Sequence, residues 1–422
     1  YVTYVISLSK PNRTYEMITE LDKRFLVRYT NCLLLRDHQL IRENLWSRDG
    51  IIINPEKIFF DERSVADICI DCQGCIISPG FIDVQINGGF GVDFSLDTAN
   101  VEAGLQTVSK GLLCHGVTSF CPTIITSSSK QYKQILTRVQ KTEGSENGAG
   151  ILGLHLEGPF ISKEKKGAHP EGLIAEFRRG FQDVLDMYGS LNNVAILTLA
   201  PELEQAPDVI RELSRRGVRV AVGHSVASLA QGEAAFDAGA KFITHLFNAM
   251  LPFHHRDPHL VGLLATDHEV YYGVIADGKH THAAALRIAY RVNPKGLVLV
   301  TDAVPGLGLP PGPYTIGTQD VEIKDDKAVI AGTDTLCGSI ASMDFCVKHF
   351  HASTGCSLVE ALEAATETPA KMLGITQRKG TLGFDSDADF VLLDKDLNLL
   401  ATFIGEKISL DCPYVLTSQP CW

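Results

Sequence analysis

Three side chains of the kinds that hold borderline divalent metals follow short apolar runs: Glu157 in GLHLEGPF, His224 in VGHS and His245 in THLFNAM. One carboxylate and two imidazoles make a three-ligand set that leaves a position for water, whose pKa a bound ion lowers towards neutrality. Zinc suits such a set first, with iron, cobalt and manganese as alternatives for the same nitrogen and oxygen donors. Attack of that water on an amide needs a further group to accept a proton and return it to the leaving nitrogen. Asp302 in VLVTDAVPG is the expected general base and acid, with a helix cap as its alternative reading. The three ligand residues lie far apart in sequence, so their spacing is silent and the elements that carry them must supply the argument.

Those elements read as a repeated strand-helix rhythm. Eight apolar runs, FIDVQI, TSFCPTII, ILGLHLE, VAILTLAPE, VRVAVGH, FITHLF, YYGVIAD and LVLVTDA, alternate with helical patterns over residues 101–115, 130–140, 206–216, 229–238 and 282–292. Eight strands with helical crossovers predict a (β/α)8 barrel over residues 78–373, with a doubly wound sheet as the rival fold. A barrel places chemistry at the carboxyl ends of its strands. Gln85 and Asn87, Glu157, His224, His245, Asp277 with His280 beyond it, and Asp302 all fall at such ends.

Short strands and polar turns flank this middle. RFLVRYTNCLLL, GIIINPEKIFF and DICIDCQGCIIS lie within residues 25–77, and a strand at 390–393 with another near 399–404 lies within 374–410. Together they predict one small β-sandwich domain built from both ends of the chain. In SPGFIDVQINGG, Asp83, Gln85 and Asn87 alternate onto one face, and two amides stand where many metal hydrolases carry histidines. Amides are weak zinc ligands but good at holding a water or a substrate, which predicts one tightly held metal per chain. His155, two residues before Glu157, is expected one layer deeper, behind the ligands or in the core. His254, His255 and His259 share a loop, where they are solvated or serve an anionic ligand.

Composition bounds the rest. The 422 residues suffice for two or three domains, or for one barrel with an accessory domain. A formal net charge of -12 argues against a nucleic-acid partner, so an anionic substrate would need a local basic pocket. Eleven irregularly spaced cysteines do not form a secreted disulfide framework, and Cys69, Cys72 and Cys75 read as ordinary thiols without a fourth cysteine at cluster spacing. No apolar segment reaches the roughly 20 residues a membrane span needs. The first residues make a poor secretion signal, so the cytoplasm is the expected compartment.

Taken in order, SPGFIDVQINGG, GLHLEGPF, KKGAHPEG, VGHS, THLFNAM, ADGKHTH and LVTDA resemble the N-acetylglucosamine-6-phosphate deacetylase family of the amidohydrolase superfamily. The resemblance covers about residues 30–400. It implies a metal-dependent amide hydrolase of amino-sugar catabolism and recycling, releasing acetate from N-acetyl-D-glucosamine 6-phosphate. It also implies that Glu157, His224 and His245 are the metal ligands, that Asp302 is the acid/base, and that His169 helps polarise the acetyl carbonyl. Asn248, Ala249 and His280 match substrate contacts, and Arg256 matches an arginine that reaches the phosphate from a neighbouring subunit, which implies a homodimer. An ion pair with Asp257 is the alternative for Arg256. The first twenty residues and the tail EKISLDCPYVLTSQPCW fall outside the family pattern. Two other functions stay open: a noncatalytic sugar-phosphate sensor, and an amidohydrolase acting on a cyclic amide or another N-acyl amine.

Overall fold

The computed structural model describes residues 4–7, 25–96, 98–316, 319–324, 327–333 and 338–409. Eight parallel strands form the centre: β1 (Phe81–Ile86), β2 (Val117–Ile125), β3 (Leu154–Glu157), β4 (Val194–Leu199), β5 (Arg219–Val222), β6 (Phe242–Ile243), β7 (Tyr271–Ile275) and β8 (Leu297–Val300). Each pairs with the next in sequence order. The ring closes where Asp302 N donates to Gln85 O at 2.8 Å and Asn87 N donates to Ala303 O at 2.8 Å. The fold is the expected (β/α)8 barrel.

The strands are near-continuous apolar runs because parallel strands are covered on both faces. Every residue of β1, β3 and β8 is buried. The crossover helices instead show one apolar stripe. In α1 (Val101–Leu113) the buried Val101, Leu105, Val108 and Leu112 recur at helical spacing. Capping boxes start α2 (Ser129–Arg138) at Ser128 and Gln131, and α5 (Leu229–Asp237) at Ser228 and Gln231, after α3 (Phe181–Tyr188) and α4 (Ala206–Arg215). The next crossover is α6 (Ala283–Val292).

After β8 the chain forms a three-stranded antiparallel sheet, Gly312–Ile316, Gln319–Lys324 and Lys327–Ile330, which the strand count did not anticipate. Three helices follow, α7 (Met343–Thr354), α8 (Leu358–Glu363) and α9 (Glu367–Leu373).

Two further sheets come from the flanks. Tyr4–Ser7, Ile68–Asp71, Val27–Thr30, Leu45–Arg48 and Ile51–Ile52 form one. The other joins Leu33–Arg36, Gln39–Ile41 and Ile76–Pro79 to Phe390–Leu393, Leu399–Ile404 and Lys407–Ile408 from the far end of the chain. Their shared core includes Tyr29, Leu34, Ile70, Ile77, Phe390 and Phe403, with the Tyr29 ring edge-on to Phe390 at 5.0 Å. Cys69, Cys72 and Cys75 are buried in this region. One expected strand is absent: the KIFF part of GIIINPEKIFF is a π-helical turn, Lys57–Glu62. Only Ile58 there is buried, and Phe59 and Phe60 are each 70% exposed. The run lacks the alternating burial that a half-covered strand requires.

Candidate active site at the barrel mouth

Glu157 ends β3, His224 follows β5 by two residues, and His245 follows β6 by two. Their side chains converge: Glu157 Oε1 lies 3.1 Å from His224 Nε2 and 3.1 Å from His245 Nε2, and the two Nε2 atoms are 3.0 Å apart. Bonds of about 2.0–2.2 Å to a shared tetrahedral ion would space such donors by roughly 3.3 Å, so the trio fits a divalent cation. The three side chains are at most 5% exposed. His224 Nδ1 donates to Lys165 O at 2.8 Å, which leaves the Nε2 lone pair facing Glu157 and His245.

Three strand-end residues adopt left-handed backbone conformations: His224 at φ 49°, His245 at φ 27° and Asp302 at φ 45°. Each costs on the order of 1 kcal/mol outside glycine, and such strain clusters where a side chain must be aimed against its backbone's preference. Electrostatics at the trio are equally marked. Burial alone would raise the Glu157 carboxyl pKa, but its interactions with the adjoining His224 and His245 imidazoles outweigh it and hold the group well below its ordinary range. Burial opposes protonation of His245, yet the Glu157 hydrogen bond and charge push that imidazole up to about 9. A cation between these donors would take the place of that proton.

Gln85 and Asn87 tie the carboxylates together. Gln85 Nε2 donates to Glu157 Oε1 at 3.1 Å and to Asp302 Oδ1 at 3.3 Å, and Asn87 Nδ2 donates to Asp302 Oδ1 at 2.7 Å. Their carbonyl oxygens, Gln85 Oε1 and Asn87 Oδ1, are buried without a partner among the described residues, as is His245 Nδ1. Burial, and then the nearby Glu157 charge, raise Asp302 to about 6, with His245, Asn87 and His280 opposing.

His169 reaches the same place from the loop after β3. It is buried, its ring lies 4.4 Å from that of His224 at a tilt of 56°, and it presents one nitrogen within 4.8 Å of donors from Glu157 and His224. Burial, then the neighbouring His224, lower its pKa to about 3. His155 lies fully buried beneath, with Nδ1 3.0 Å from Val84 O and Nε2 2.7 Å from Thr198 Oγ1, and burial brings it down to about 4.

The remaining residues surround this centre. His280 Nδ1 pairs with Asp277 Oδ2 at 2.6 Å; burial disfavours its charge, but Asp277 outweighs that and raises its pKa. Asn248 N and Nδ2 both donate to His245 O, while Ala249, at φ 49°, accepts from Ser225 N. That chain of bonds couples the NAM turn to both ligand strands. Arg256 is exposed in the loop with His254 and His255, and does not pair with Asp257. The Asp257 carboxylate instead accepts from Leu229 N and His259 N. Sequence reading passed over Thr126, which hydrogen-bonds His169 Nδ1. It directly follows β2, so the strand-end rule reaches it.

The chain matches the amidohydrolase family over residues 76–415. It is 57% identical over 389 residues to an N-acetylglucosamine-6-phosphate deacetylase of Bos taurus, covering 91% of this chain and 95% of that one. An N-acetylgalactosamine-6-phosphate deacetylase of Escherichia coli O157:H7 is 34% identical over 386 residues, covering 89% of this chain and 99% of that protein. Among solved structures, a variant of the Mycobacterium smegmatis N-acetyl-D-glucosamine-6-phosphate deacetylase in complex with N-acetyl-D-glucosamine-6-phosphate superposes with a TM-score of 0.77 at 30% identity, covering 92% of this chain and 99% of that one.

Proposed function

We propose, since the chain belongs to the amidohydrolase family and to its N-acetylglucosamine-6-phosphate deacetylase branch, a division of labour among the residues at the barrel mouth. The reaction is hydrolysis of the N-acetyl group of N-acetyl-D-glucosamine 6-phosphate to D-glucosamine 6-phosphate and acetate, in amino-sugar catabolism and recycling. The observation that carries the assignment of roles is the buried triangle of Glu157, His224 and His245 beside Asp302.

Those three residues would hold one divalent ion per chain, zinc first among the candidates, with iron, cobalt or manganese as alternatives. The ion supplies Lewis acidity that lowers the pKa of water and polarises the amide carbonyl. Asp302 takes the proton from the attacking water and returns it to the departing amine. Both amides engage its Oδ1, so Oδ2 is the oxygen left for that transfer. Gln85 and Asn87 therefore act as holders of the two carboxylates rather than as ligands of a second ion. His169 donates to the acetyl oxygen, where negative charge develops.

His280, held by Asp277, and the Asn248–Ala249 turn bind the sugar phosphate. Arg256 completes the phosphate site of the neighbouring subunit in a homodimer. Its planar fork suits phosphate, and among the described residues it makes no ion pair that would compete. Among the described residues no helix is long and apolar enough to cross a membrane. The cytoplasm is the proposed compartment, on an odd number of irregularly spaced cysteines that suggests no secreted disulfide framework.

The test is acetate release from N-acetylglucosamine 6-phosphate, from its galactosamine epimer and from unphosphorylated N-acetylglucosamine, with metal quantified in the same preparation. The expected result is turnover of the phosphorylated glucosamine substrate at one ion per chain, with the unphosphorylated sugar poorly used. Metal at one per chain with no acetate released would remove the substrate assignment. Two tight ions per chain would remove the holding role of Gln85 and Asn87.

A further inference from the structure

We infer that Thr126 fixes the tautomer of His169, keeping that imidazole a hydrogen-bond donor to the substrate and out of the metal's ligand shell. The inference deepens the role proposed for His169 and rests on it. Proximity alone leaves the role ambiguous. A His169 nitrogen lies within 4.8 Å of donors from Glu157 and His224, close enough to share their ion as a fourth ligand. A fourth protein ligand would close the position that a hydrolytic site keeps open for water.

Hydrogen-bond direction resolves the ambiguity. The backbone N–H of Thr126 lies 3.3 Å from His169 Nδ1, and a backbone amide can only donate. Nδ1 must therefore present its lone pair, and the Thr126 hydroxyl, 2.8 Å from the same atom, donates to it as well. A neutral imidazole with its lone pair on Nδ1 carries its hydrogen on Nε2. An Nε2–H donates to an oxygen and cannot ligate a cation. Thr126 is 2% exposed and His169 5%, so bulk water does not compete for these bonds.

The neighbouring ligand is set the opposite way. His224 Nδ1 faces the carbonyl of Lys165, an acceptor, which forces the hydrogen onto Nδ1 and frees Nε2 for metal. Two imidazoles whose centroids lie 4.4 Å apart, tilted by 56°, are thus assigned opposite tautomers by the groups each one meets. Gly158 makes the arrangement possible. It follows Glu157 with φ +81°, and a Cβ there would collide with the Thr126 hydroxyl and stand 3.5 Å from His169 Nδ1.

Thr126 is a positioning residue, and its test separates position from chemistry. In metal-loaded protein labelled with nitrogen-15 at histidine, long-range proton–nitrogen spectra should show an imidazole with Nε2 protonated and Nδ1 bare whose signal vanishes in His169→Gln, apart from those of His254 and His282, whose Nδ1 atoms also accept from backbone N–H groups. Thr126→Val should lower kcat roughly tenfold, the scale of one hydrogen bond, with KM and metal content unchanged. Thr126→Ser should stay within about threefold of the parent, and Thr126→Val should add nothing in a His169→Gln background.

A His169 signal with Nδ1 protonated in the parent would overturn the inference without reference to any variant. So would parental kcat in Thr126→Val while His169→Gln loses activity. Full activity in His169→Gln would instead remove the proposed role of His169, and the inference with it.

Discussion

Two buried clusters of charged residues lie in this molecule, and they are finished differently. One joins the loop 378–389 to the barrel: Lys379 Nζ meets Asp387 Oδ2 at 2.7 Å and Asp389 Oδ2 at 2.6 Å, while Arg378 bridges Asp387 and Glu143. Asp389 Oδ1 also accepts from Gly405 N. Each buried charge there has an opposite partner, so nothing is left over for a ligand. At the barrel mouth, Glu157, His224 and His245 are buried at least as deeply, with Asp302 half-buried beside them, but three polar atoms around them, Gln85 Oε1, Asn87 Oδ1 and His245 Nδ1, lack partners among the described residues. Similar residue types at similar burial thus make a fastener in one place and a site in the other. The difference lies in whether the hydrogen-bonding capacity is used up.

The sharpest way to break the comparison is Asp302→Asn. In the mouth, loss of one carboxylate should cost reaction rate and not folding. We expect kcat to fall about 10³-fold or more, with KM and thermal stability near those of the parent. The parent's acid limb follows from sign. A base must be ionised, and burial places Asp302 at about 6 in the metal-free chain, while a bound cation lowers it. kcat/KM should therefore fall as pH drops, with its midpoint at or below about 6. An Asp302→Asn variant that loses stability but keeps turnover would make the mouth a second fastener.

The converse substitution is Lys379→Met. Removing the cation leaves Asp389 buried without an opposite charge and Asp387 with Arg378 alone, which should cost about 3 kcal/mol in denaturant unfolding while kcat stays within twofold. A loss of activity with unchanged stability would mean that the fastener communicates with the site.

Arg256 is a third kind of charge, exposed and without an ion pair among the described residues. If it completes a partner's phosphate site, Arg256→Ala should raise KM about tenfold or more with kcat and metal content intact, and should leave stability unaffected. An unchanged KM would return it to the solvated surface.

How much of this was legible beforehand follows from the same physics. The eight strands could be read because parallel strands buried on both faces become unbroken apolar runs, and the strand-end rule then collected Glu157, His224, His245 and Asp302. His169 could not be found that way: it sits in a loop, and only the family resemblance singled it out. Its partner Thr126 stands at a strand end, where the rule reaches it, but a threonine there carries no charge or ligand chemistry to single it out, and the Lys165 carbonyl is a backbone group that every residue type carries. The KIFF run misled because apolar content without alternation does not distinguish a strand from an exposed turn. The sheet over residues 312–330 was missed because it interrupts the strand-helix rhythm after the eighth strand, where no further strand was needed.

Asp83 lies between the two regimes, and it yields the smallest expected effect. It is fully buried in β1, where Oδ2 accepts from Thr301 Oγ1 at 2.5 Å and Oδ1 accepts from Gln85 N and Thr301 N, both at 3.3 Å. These bonds stitch β1 to β8 at the seam that closes the barrel. Among the described residues no cation pairs with the group, and burial raises its pKa to about 7 despite the hydrogen bonds that favour the charge. An unfolded aspartate titrates near about 3.9. Between these values the native state holds a proton that the unfolded state has lost, so stability declines as pH rises from about 4 to about 7 and is level above that. Asp83→Asn retains an acceptor at Oδ1 for the two backbone donors and removes the titration. The parent should therefore lose about 1 kcal/mol relative to the variant between about pH 5 and 6, measured by denaturant unfolding of the metal-loaded proteins. Parallel profiles would mean that the seam carries a charge at all these pH values. The closing strands would then be held by a buried unpaired carboxylate and not by a neutral hydrogen-bonded acid.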